Sequence, residues 1–526
     1  MNIKTAFTKD NFIKIAFELL LLTAGSFIFA LSFPSFMNKW GIAPLAFVAI
    51  IPVFIVVHRV GYVKSVIYGA YFGYISYTIF NYWLATFDPM AFVAVPVIYA
   101  SYFLVLFPLL KLVDQLFPKK GYILQIFIWM SYEFLRTKGF LGYSYGVIGY
   151  TQYNFLSLIG IADITGVAGV NFIVIFPSII IGNALKDGVE SFKENYKRWI
   201  KPAVIWLALF LCFNIYGILS KVDYSDSPTW RTALIQHNIN SWRSGIEVFE
   251  EALDKLLELS NEALKEGPDT IIWSETAFVP SINYYNKTRS DRRRVEMIQK
   301  LYGFMDDTGV PLILGNNDLV ATGNRTVNYN SVMYFNKGKL QDMYYKTHLV
   351  PFSEHFPYEK IMPRLHAYIL SLHVNFYGKG EEYTVFDHEG IKLAPLICFE
   401  DTFGYLSREF VNNGGEVLIN LTNDSWSTEY ACNIQHMAIA VFRTVENRRT
   451  MLRSTTGGYT TVIDPNGKRI GELEPFTDDY LITDTPVYTD RNTIYTKLGN
   501  WLDITAIIVS AIGLLLGIFL KIKSRK

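Results

Sequence analysis

The spacing of apolar residues divides the 526-residue chain into three parts. Up to about residue 220 they form long runs, whereas between 222 and 495 they form short bursts among charged segments. A last apolar run, 501–520, precedes a basic tail. The pattern predicts a membrane domain at 1–221, a water-soluble domain at 222–495, and a final membrane helix with its tail at 496–526.

Several runs reach the roughly 17–25 mostly apolar residues that a helix needs to cross a bilayer. About eight spans are predicted, near 12–32, 42–58, 65–85, 91–113, 121–136, 165–185, 200–220 and 502–521. The first span could be mistaken for a signal peptide. Because further spans follow it closely, we interpret it as a retained membrane helix.

Basic residues indicate how the predicted spans are oriented. Lys and Arg are concentrated before span one, after span eight, and in the loops that join spans two to three, four to five and six to seven. With eight spans, all these segments lie on one side of the membrane, and short cytoplasmic loops are the ones enriched in Lys and Arg. The sequence therefore predicts cytoplasmic termini and an extracytoplasmic domain at 222–495. The loop with Arg136 and Lys138 is the exception.

Composition narrows the functional class. The chain is 51% hydrophobic and 16% aromatic and has a formal net charge of +1, which excludes disorder and gives no sign of nucleic-acid binding. Few charged residues, such as Glu18, Glu133 and Asp163, lie within the predicted spans, and the two halves show no internal repeat. The membrane part is therefore more typical of an anchor or lipid-binding platform than of a transporter or pore.

Strand-like and helical patterns alternate between residues 222 and 495, which predicts a layered α/β domain. The predicted strands are 231–239, 269–276, 310–318, 330–336, 393–397, 416–426 and the segment 340–352, which leads out of the sheet at Lys346. The predicted helices are 247–267, 292–309 and 431–449. Residues 451–470 are predicted to form two strands joined by the turn "DPNG".

Glu275, Lys346 and Cys398 each lie at the C-terminal end of an apolar strand. Taken singly, they could be a helix-start carboxylate, a solvated strand tip and a buried small side chain. Together they indicate a site, because α/β folds gather their chemistry at strand ends. Metal binding is not expected, since the spacing of His348, Glu354 and His355 matches no helical H-E-x-x-H motif.

The chemistry of these groups is complementary. A free thiol has a pKa near ~8.5, so it needs a base or a nearby cation to become a nucleophile. Glu275 could take the proton of Cys398. Lys346 and the backbone N–H of Phe399 could stabilise the oxyanion formed on a carbonyl substrate. Histidine is the commoner base for cysteine, and the candidates His348, His355 and His436 keep a Cys/His mechanism open as a lesser alternative.

The soluble domain resembles the nitrilase superfamily, whose Glu–Lys–Cys triad occurs in this order on an αββα sandwich. With the surrounding membrane spans, the chain more narrowly resembles the bacterial apolipoprotein N-acyltransferases over nearly its whole length. The matching membrane motifs are "FPSFMNKWGIAPLAF", "YGAYFGYISYTIFNYW", "EFLRTKGF" and "DITGVAGVNF". The matching soluble motifs are "LIQHNI", "WSETAF", "YYKTHLVPFSEHFP", "PLICFED", "INLTNDSW" and "RTVENRRTMLRSTTGGYTTVIDPNG".

The resemblance implies a role for several residues. It makes Glu275 the general base, Lys346 the oxyanion-stabilising partner and Cys398 the acylated nucleophile. It also implies two supporting carboxylates, Glu354 and Glu400. Two tryptophans of the substrate cleft are implied at Trp242 and Trp426.

Two positions depart from the family pattern. Phe399 stands where the family pattern has tyrosine, so any hydroxyl contact from that position is lost. Residues 139–144, "GFLGYS", lack the proline and tryptophan expected after "GF", and with them the lipid contact implied for that loop.

The resemblance also implies an activity that needs no cofactor. A membrane phospholipid would acylate Cys398, and the thioester would then acylate the N-terminal amine of diacylglyceryl-modified apolipoproteins, at the periplasmic face of a bacterial inner membrane. Two alternatives remain, a membrane-tethered nitrilase-type amidase and a catalytically dead lipid-binding scaffold. The apolar stretches 278–285 and 365–377 are either interface-dipping lid loops or ordinary buried segments.

Overall fold

The computed structural model describes residues 9–323, 325–371 and 376–524. The described chain forms two compact units. The first comprises residues up to 220, the segment 429–438 and the chain from residue 500 onward. The second comprises 221–428 and 439–499. The domain boundaries predicted from hydropathy remain predictions.

The first unit is helical. Its helices are α1 (Lys9–Ser32), α2 (Ile51–Arg59), α3 (Tyr62–Phe80), α4 (Leu84–Phe87), α5 (Pro89–Leu116), α6 (Gly121–Leu135), α7 (Leu156–Ile159), α8 (Ala162–Thr165), α9 (Val167–Leu185), α10 (Val189–Asn195) and α11 (Lys197–Leu219). Near the C-terminus it also contains α19 (Trp501–Lys523). Short 3₁₀ turns lie at Ala43–Phe47 and Ile148–Gln152.

Each predicted span overlaps one of these helices, although 42–58 covers the 3₁₀ turn Ala43–Phe47 as well as α2, and the helices differ in length and polarity. Among the described residues, five helices are long and apolar enough to cross a membrane by themselves: α1, α5, α9, α11 and α19. The helices at the other predicted spans, α2, α3 and α6, are shorter or less apolar. The predicted membrane bundle is confirmed, and the count of eight spans is approximate.

Glycines allow α3 and α5 to pack closely. A Cβ on Gly69 would lie 2.3 Å from the carbonyl oxygen of Phe103, and one on Gly73 would lie 2.6 Å from the Phe103 ring. Small residues four apart are the usual means by which membrane helices bring their backbones together, because apolar lipid provides no hydrophobic drive for association. The run "YGAYFGY" is therefore a packing surface.

The second unit is built on two six-stranded sheets. The first contains, in spatial order, β12 (Asp479–Pro486), β1 (Thr229–Gln236), β2 (Thr270–Ile272), β3 (Leu312–Thr322), β4 (Arg325–Asn336) and β5 (Lys339–Tyr345). The second contains β11 (Arg469–Glu472), β10 (Thr461–Ile463), β9 (Thr450–Thr455), β8 (Val417–Thr422), β7 (Ile391–Ile397) and β6 (Phe386–His388).

The sheets face each other and carry helices outside, which confirms the predicted αββα sandwich. The Ser454 hydroxyl on β9 donates to the carbonyl of Ile272 on β2 at 3.2 Å, across the two sheets. The outer face of the first sheet packs against α12 (Ile246–Ala263) and α14 (Arg292–Thr308) through a core centred on Trp273. The remaining helices are α13 (Ile282–Thr288), α15 (Pro363–Ser371), α16 (Gly404–Asn412), α17 (Tyr430–Asn447) and α18 (Ile494–Leu498).

Two strand predictions need correction. The strand predicted at 269–276 ends at Ile272, although the Trp273 N–H still donates to the Ile313 carbonyl at 2.8 Å, so the chain leaves the sheet gradually. Residues 451–470 form parts of three strands and not two. The break falls at Gly457 and Gly458, and the "DPNG" turn joins only β10 to β11.

The two apolar stretches differ in exposure. In 278–285, Phe278 and Ile282 are buried in the core of the second unit, so at these positions the interpretation as an ordinary buried segment holds. In 365–377, helix α15 exposes Leu365, Tyr368 and Leu370. Residues 372–375 of that stretch lie outside the described residues.

Candidate active site

The turn after β7 presents Cys398 in a left-handed backbone conformation. Its φ is 50°, a value that non-glycine residues adopt rarely and that clusters at functional sites. The side-chain amide of Asn420, on the neighbouring strand β8, donates to the Cys398 carbonyl at 3.0 Å. Cys398 forms no disulfide, and the residue is partly exposed. The strand end therefore places Cys398 at the edge of the core, where its thiol is still largely shielded from solvent.

Glu275 lies three residues beyond β2, and both of its carboxylate oxygens have partners. Oε1 accepts from the Asn330 side chain at 2.7 Å, and Oε2 accepts from the Asn423 backbone N–H at 2.9 Å. The side chains of Cys398 and Glu275 are near enough for each to influence the pKa of the other. Burial raises the pKa of Glu275 above its usual value, and the positive charge of Lys346 partly offsets that effect.

Lys346 follows β5 and is fully buried between two carboxylates. Its Nζ lies 2.8 Å from Glu354 Oε1 and 3.4 Å from Glu275 Oε1. Burial by itself lowers the pKa of Lys346, but the negative charges of Glu354 and Glu275 outweigh burial and raise that pKa well above the usual range. The ammonium group therefore stays charged. Glu354 is itself held by the Val350 N–H at 2.8 Å.

Glu400 ties the Cys398 turn to the Lys346 segment. Its carboxylate is fully buried, and it accepts hydrogen bonds of 2.8 to 3.0 Å from both sides. The donors are the Tyr344 hydroxyl, the Thr347 hydroxyl and the backbone N–H groups of Thr347, His348 and Ile397. Burial raises the pKa of Glu400, while the charge of Lys346 opposes that effect. The arrangement makes Glu400 a scaffold for the site.

Charge and burial keep the Cys398 thiol protonated in the resting site. Burial and then the negative charge of Glu275 raise the pKa of Cys398 well above its usual value, with Lys346 acting in the opposite direction. A thiol in this state reacts only when a base removes its proton. Glu275 is placed to do so, and Phe399, directly after the sulfur, supplies a backbone N–H at the start of the following turn.

The predicted tryptophans lie side by side. The Trp242 indole N–H donates to the backbone carbonyl of Trp426 at 3.0 Å, and 55% of Trp242 is exposed. The neighbouring Ser241 hydroxyl donates to the Asn423 side chain at 2.9 Å. Because the Asn423 N–H donates to Glu275, both tryptophan loops are connected to the Glu275 carboxylate.

The histidines of the alternative mechanism have other environments. His348 Nδ1 lies 2.9 Å from the Tyr405 hydroxyl, and its ring packs 3.9 Å from the Phe403 ring. His436 belongs to the first unit, where its ring lies 5.9 Å from that of Tyr145. Burial lowers the pKa of His355. Of the candidate bases, the Glu275 carboxylate is the one whose charge acts on the pKa of Cys398.

Two residues of the site were missed from the sequence. Asn330 lies in the interior of β4, where it looks like an ordinary polar position, yet its amide holds Glu275. Asn423 contributes through its backbone N–H, a group every non-proline residue carries, so its residue type gives no signal.

Comparisons with known proteins identify relatives of both parts of the chain. The family model described as carbon-nitrogen hydrolase matches residues 231–494, and the model described as apolipoprotein N-acyltransferase N-terminal domain matches residues 25–180. Apolipoprotein N-acyltransferase 1 of Treponema denticola is 37% identical, with 96% of this chain and 97% of the relative covered. The chain belongs to the apolipoprotein N-acyltransferase family.

Other apolipoprotein N-acyltransferases match at similar coverage. Apolipoprotein N-acyltransferase 1 of Treponema pallidum is 33% identical, with 95% of each chain covered. Among solved structures, an amidase from Nesterenkonia sp. aligns with a TM-score of 0.37 at 20% identity, covering 50% of this chain and 94% of the amidase. In this family member, membrane helices and a nitrilase-type sandwich are joined in one chain.

Proposed function

We propose that the protein transfers a fatty acyl chain from a membrane phospholipid, through a thioester on Cys398, to the N-terminal α-amino group of diacylglyceryl-cysteine in apolipoproteins. The observation that supports this most strongly is the contact of Lys346 with both Glu354 and Glu275, beside a partly exposed cysteine. These are the base, cation and nucleophile that acyl transfer through a thioester requires. Family membership supports the lipoprotein as acceptor.

In the first step, Glu275 takes the thiol proton as the sulfur of Cys398 attacks the ester carbonyl of the phospholipid. The developing oxyanion is stabilised by the Lys346 ammonium and the Phe399 N–H. The C–O bond then breaks, and the lysophospholipid oxygen takes the proton back from Glu275. The acyl group remains on sulfur as a thioester.

In the second step, the lipoprotein amine attacks the thioester carbonyl and Glu275 takes the amine proton. The same oxyanion donors act again. The C–S bond breaks, and the released thiolate takes the proton from Glu275. The N-acylated lipoprotein leaves and the resting thiol is restored, so the enzyme alternates between free and acylated forms.

Attachment to the membrane suits both substrates. Removing an acyl chain from lipid costs about 0.8 kcal/mol per buried CH₂, a cost that a site beside the bilayer largely avoids. The exposed apolar side chains of α15, Leu365, Tyr368 and Leu370, are typical of a segment that contacts lipid or acyl chains. The distribution of basic loops supports a catalytic domain on the periplasmic side of the inner membrane.

The acceptor is tested with two synthetic lipopeptides that differ only at the N-terminus. With phospholipid present, a diacylated peptide with a free α-amine should gain one acyl chain, whereas the N-acetylated peptide should gain none. The Cys398→Ala variant is the control and should give no product. Fatty acid released equally fast with either peptide would identify a hydrolase, and turnover by Cys398→Ala would contradict the thioester.

A further inference from the structure

A buried ionic cluster lies beside the candidate active site. Arg453 on β9 contacts Asp401 through Nε at 3.4 Å and Asp424 through Nη2 at 3.0 Å. Its third nitrogen, Nη1, donates to the Tyr459 carbonyl at 3.2 Å. All three charged side chains are fully buried. We call Arg453, Asp401 and Asp424 the arginine bridge.

Each carboxylate of the arginine bridge belongs to a different part of the site. Asp401 lies in the turn that begins at Cys398. Asp424 follows Asn423, whose backbone N–H donates to Glu275 at 2.9 Å. Arg453 therefore connects the turn that carries the nucleophile with the loop that orients its base.

Strand register supports the same connection. Arg453 is the partner of Asn420 in the parallel pairing of β9 with β8, and the Asn420 amide holds the Cys398 carbonyl at 3.0 Å. Partnered residues in neighbouring parallel strands project from the same face of the sheet. The backbone at Gly458 also packs closely against Asp424, since a Cβ at residue 458 would lie 2.7 Å from the Asp424 Cβ. The cluster is thus enclosed by the loops around the site.

Charge gives the arginine bridge a second effect. The carboxylate of Asp424 is near enough to raise the pKa of Cys398. Arg453 places a positive charge against the two buried aspartates, and removing it takes that charge away from the surroundings of the sulfur. Loss of a nearby positive charge opposes formation of a thiolate or an oxyanion.

We propose that Arg453 is a positioning residue for acyl transfer, which fixes the thiol relative to its base and limits the negative charge around the sulfur. The proposal deepens the proposed function and rests on it for the identity of the reaction. Arginine is required because its planar fork can contact two carboxylates at once, which the single ammonium of lysine does less well.

Two independent readouts test the arginine bridge in the full-length protein in detergent. One is the pH dependence of Cys398 alkylation by iodoacetamide, followed on the Cys398 peptide by mass spectrometry, which involves no acyl transfer. The other is the rate of thioester formation with phospholipid. The variants are Arg453→Met and Arg453→Lys, with Arg448→Met and Arg448→Lys as controls. Arg448 is an equally buried arginine that instead contacts Pro465 and Asn466.

The Arg453→Met variant should alkylate with a midpoint about one pH unit higher, the order expected when a nearby buried positive charge is removed. It should form thioester on the order of 100-fold more slowly. Arg453→Lys keeps the charge, so its alkylation midpoint should stay near that of the parent while thioester formation falls roughly 10-fold. The double variant Arg453→Met/Asp424→Asn should return the midpoint toward that of the parent.

The proposal is overturned if Arg453→Met matches the parent in both readouts, or if Arg448→Met reproduces its losses. If Arg453→Met does not fold, Arg453→Lys decides: parent-like thioester formation would refute the positioning role. The proposed function and the role of the arginine bridge can be refuted independently of each other. An alkylation midpoint that shifts as expected in a protein that never forms a thioester would support the arginine bridge and refute the proposed function.

Discussion

The ammonium group of Lys346 lies closer to Glu354 than to Glu275, at 2.8 Å against 3.4 Å. Glu354 therefore balances most of the lysine charge, and it leaves Glu275 with the weaker of the two contacts. A base that was tightly paired with lysine would hold its charge strongly and accept a proton poorly. The unequal pairing keeps Lys346 charged and suits the role of base proposed for Glu275.

Replacing Glu354 by glutamine should slow thioester formation on the order of 100-fold, because the oxyanion-stabilising lysine loses its main partner and turns toward Glu275. The shape of the side chain is conserved, so the melting temperature should change little. Glu359→Gln is the matched control, since Glu359 is exposed and contacts His366. Equal rates for the two variants would contradict the pairing described here.

Among the cysteines, only Cys398 should be required. Cys398→Ala and Cys398→Ser should abolish acyl transfer to a lipopeptide. Cys212→Ser, in the exposed face of α11, and Cys432→Ser, in a buried position, should retain most of it. Product is measured by mass spectrometry of the lipopeptide. Transfer by Cys398→Ala would exclude the thioester mechanism.

The pH dependence of acylation should report Glu275. Only the deprotonated carboxylate can take the thiol proton, and burial raises the pKa of Glu275 above its ordinary value of 4.5. The rate should therefore fall as pH decreases through a midpoint above 4.5, and Lys346 should cause no loss near neutral pH because its pKa is raised. Initial rates of thioester formation measure this profile. If the rate of thioester formation by His348→Asn no longer fell as pH decreased, the result would instead support a Cys/His mechanism.

Orientation in the membrane is a separate prediction. Reporters fused after Lys221 or near Asp490 should be active outside the cytoplasm, and a reporter at the C-terminus should be active inside it, because the basic loops are expected on the cytoplasmic side. Paired periplasmic and cytoplasmic reporters at each position provide the control. A cytoplasmic signal after Lys221 would show that the number of spans before it differs by one, with 121–136 the first segment to re-examine.

The sequence predicted the fold class and the convergence of Glu275, Lys346 and Cys398, because each of the three follows an apolar strand-like segment. The three residues in fact lie at or just beyond the ends of β2, β5 and β7, and the sequence could not reveal how they are held. Asn423 acts through a backbone N–H, and Glu400 gathers donors from residues about 50 positions away, 344–348, which meet only after folding. Contacts of this kind depend on tertiary structure and leave no local pattern.

Strand ends were predicted less well, for identifiable reasons. The strand at 269–276 seemed long because Trp273 is apolar, but Trp273 faces the helical core after the regular ladder has ended. The break between β9 and β10 follows from Gly457 and Gly458, where the chain must pass close to Asn238 and Asp424. The residues whose contacts determine these strand ends are distant from them in sequence.

The central claim is tested most directly by the intact mass of the purified protein after incubation with phospholipid alone. We predict a mass increase of one fatty acyl chain that is removed by hydroxylamine, is absent from Cys398→Ala, and persists until a lipopeptide with a free amine is added. The same increase in Cys398→Ala, or steady release of free fatty acid with no acylated protein at any time, would contradict acyl transfer through Cys398.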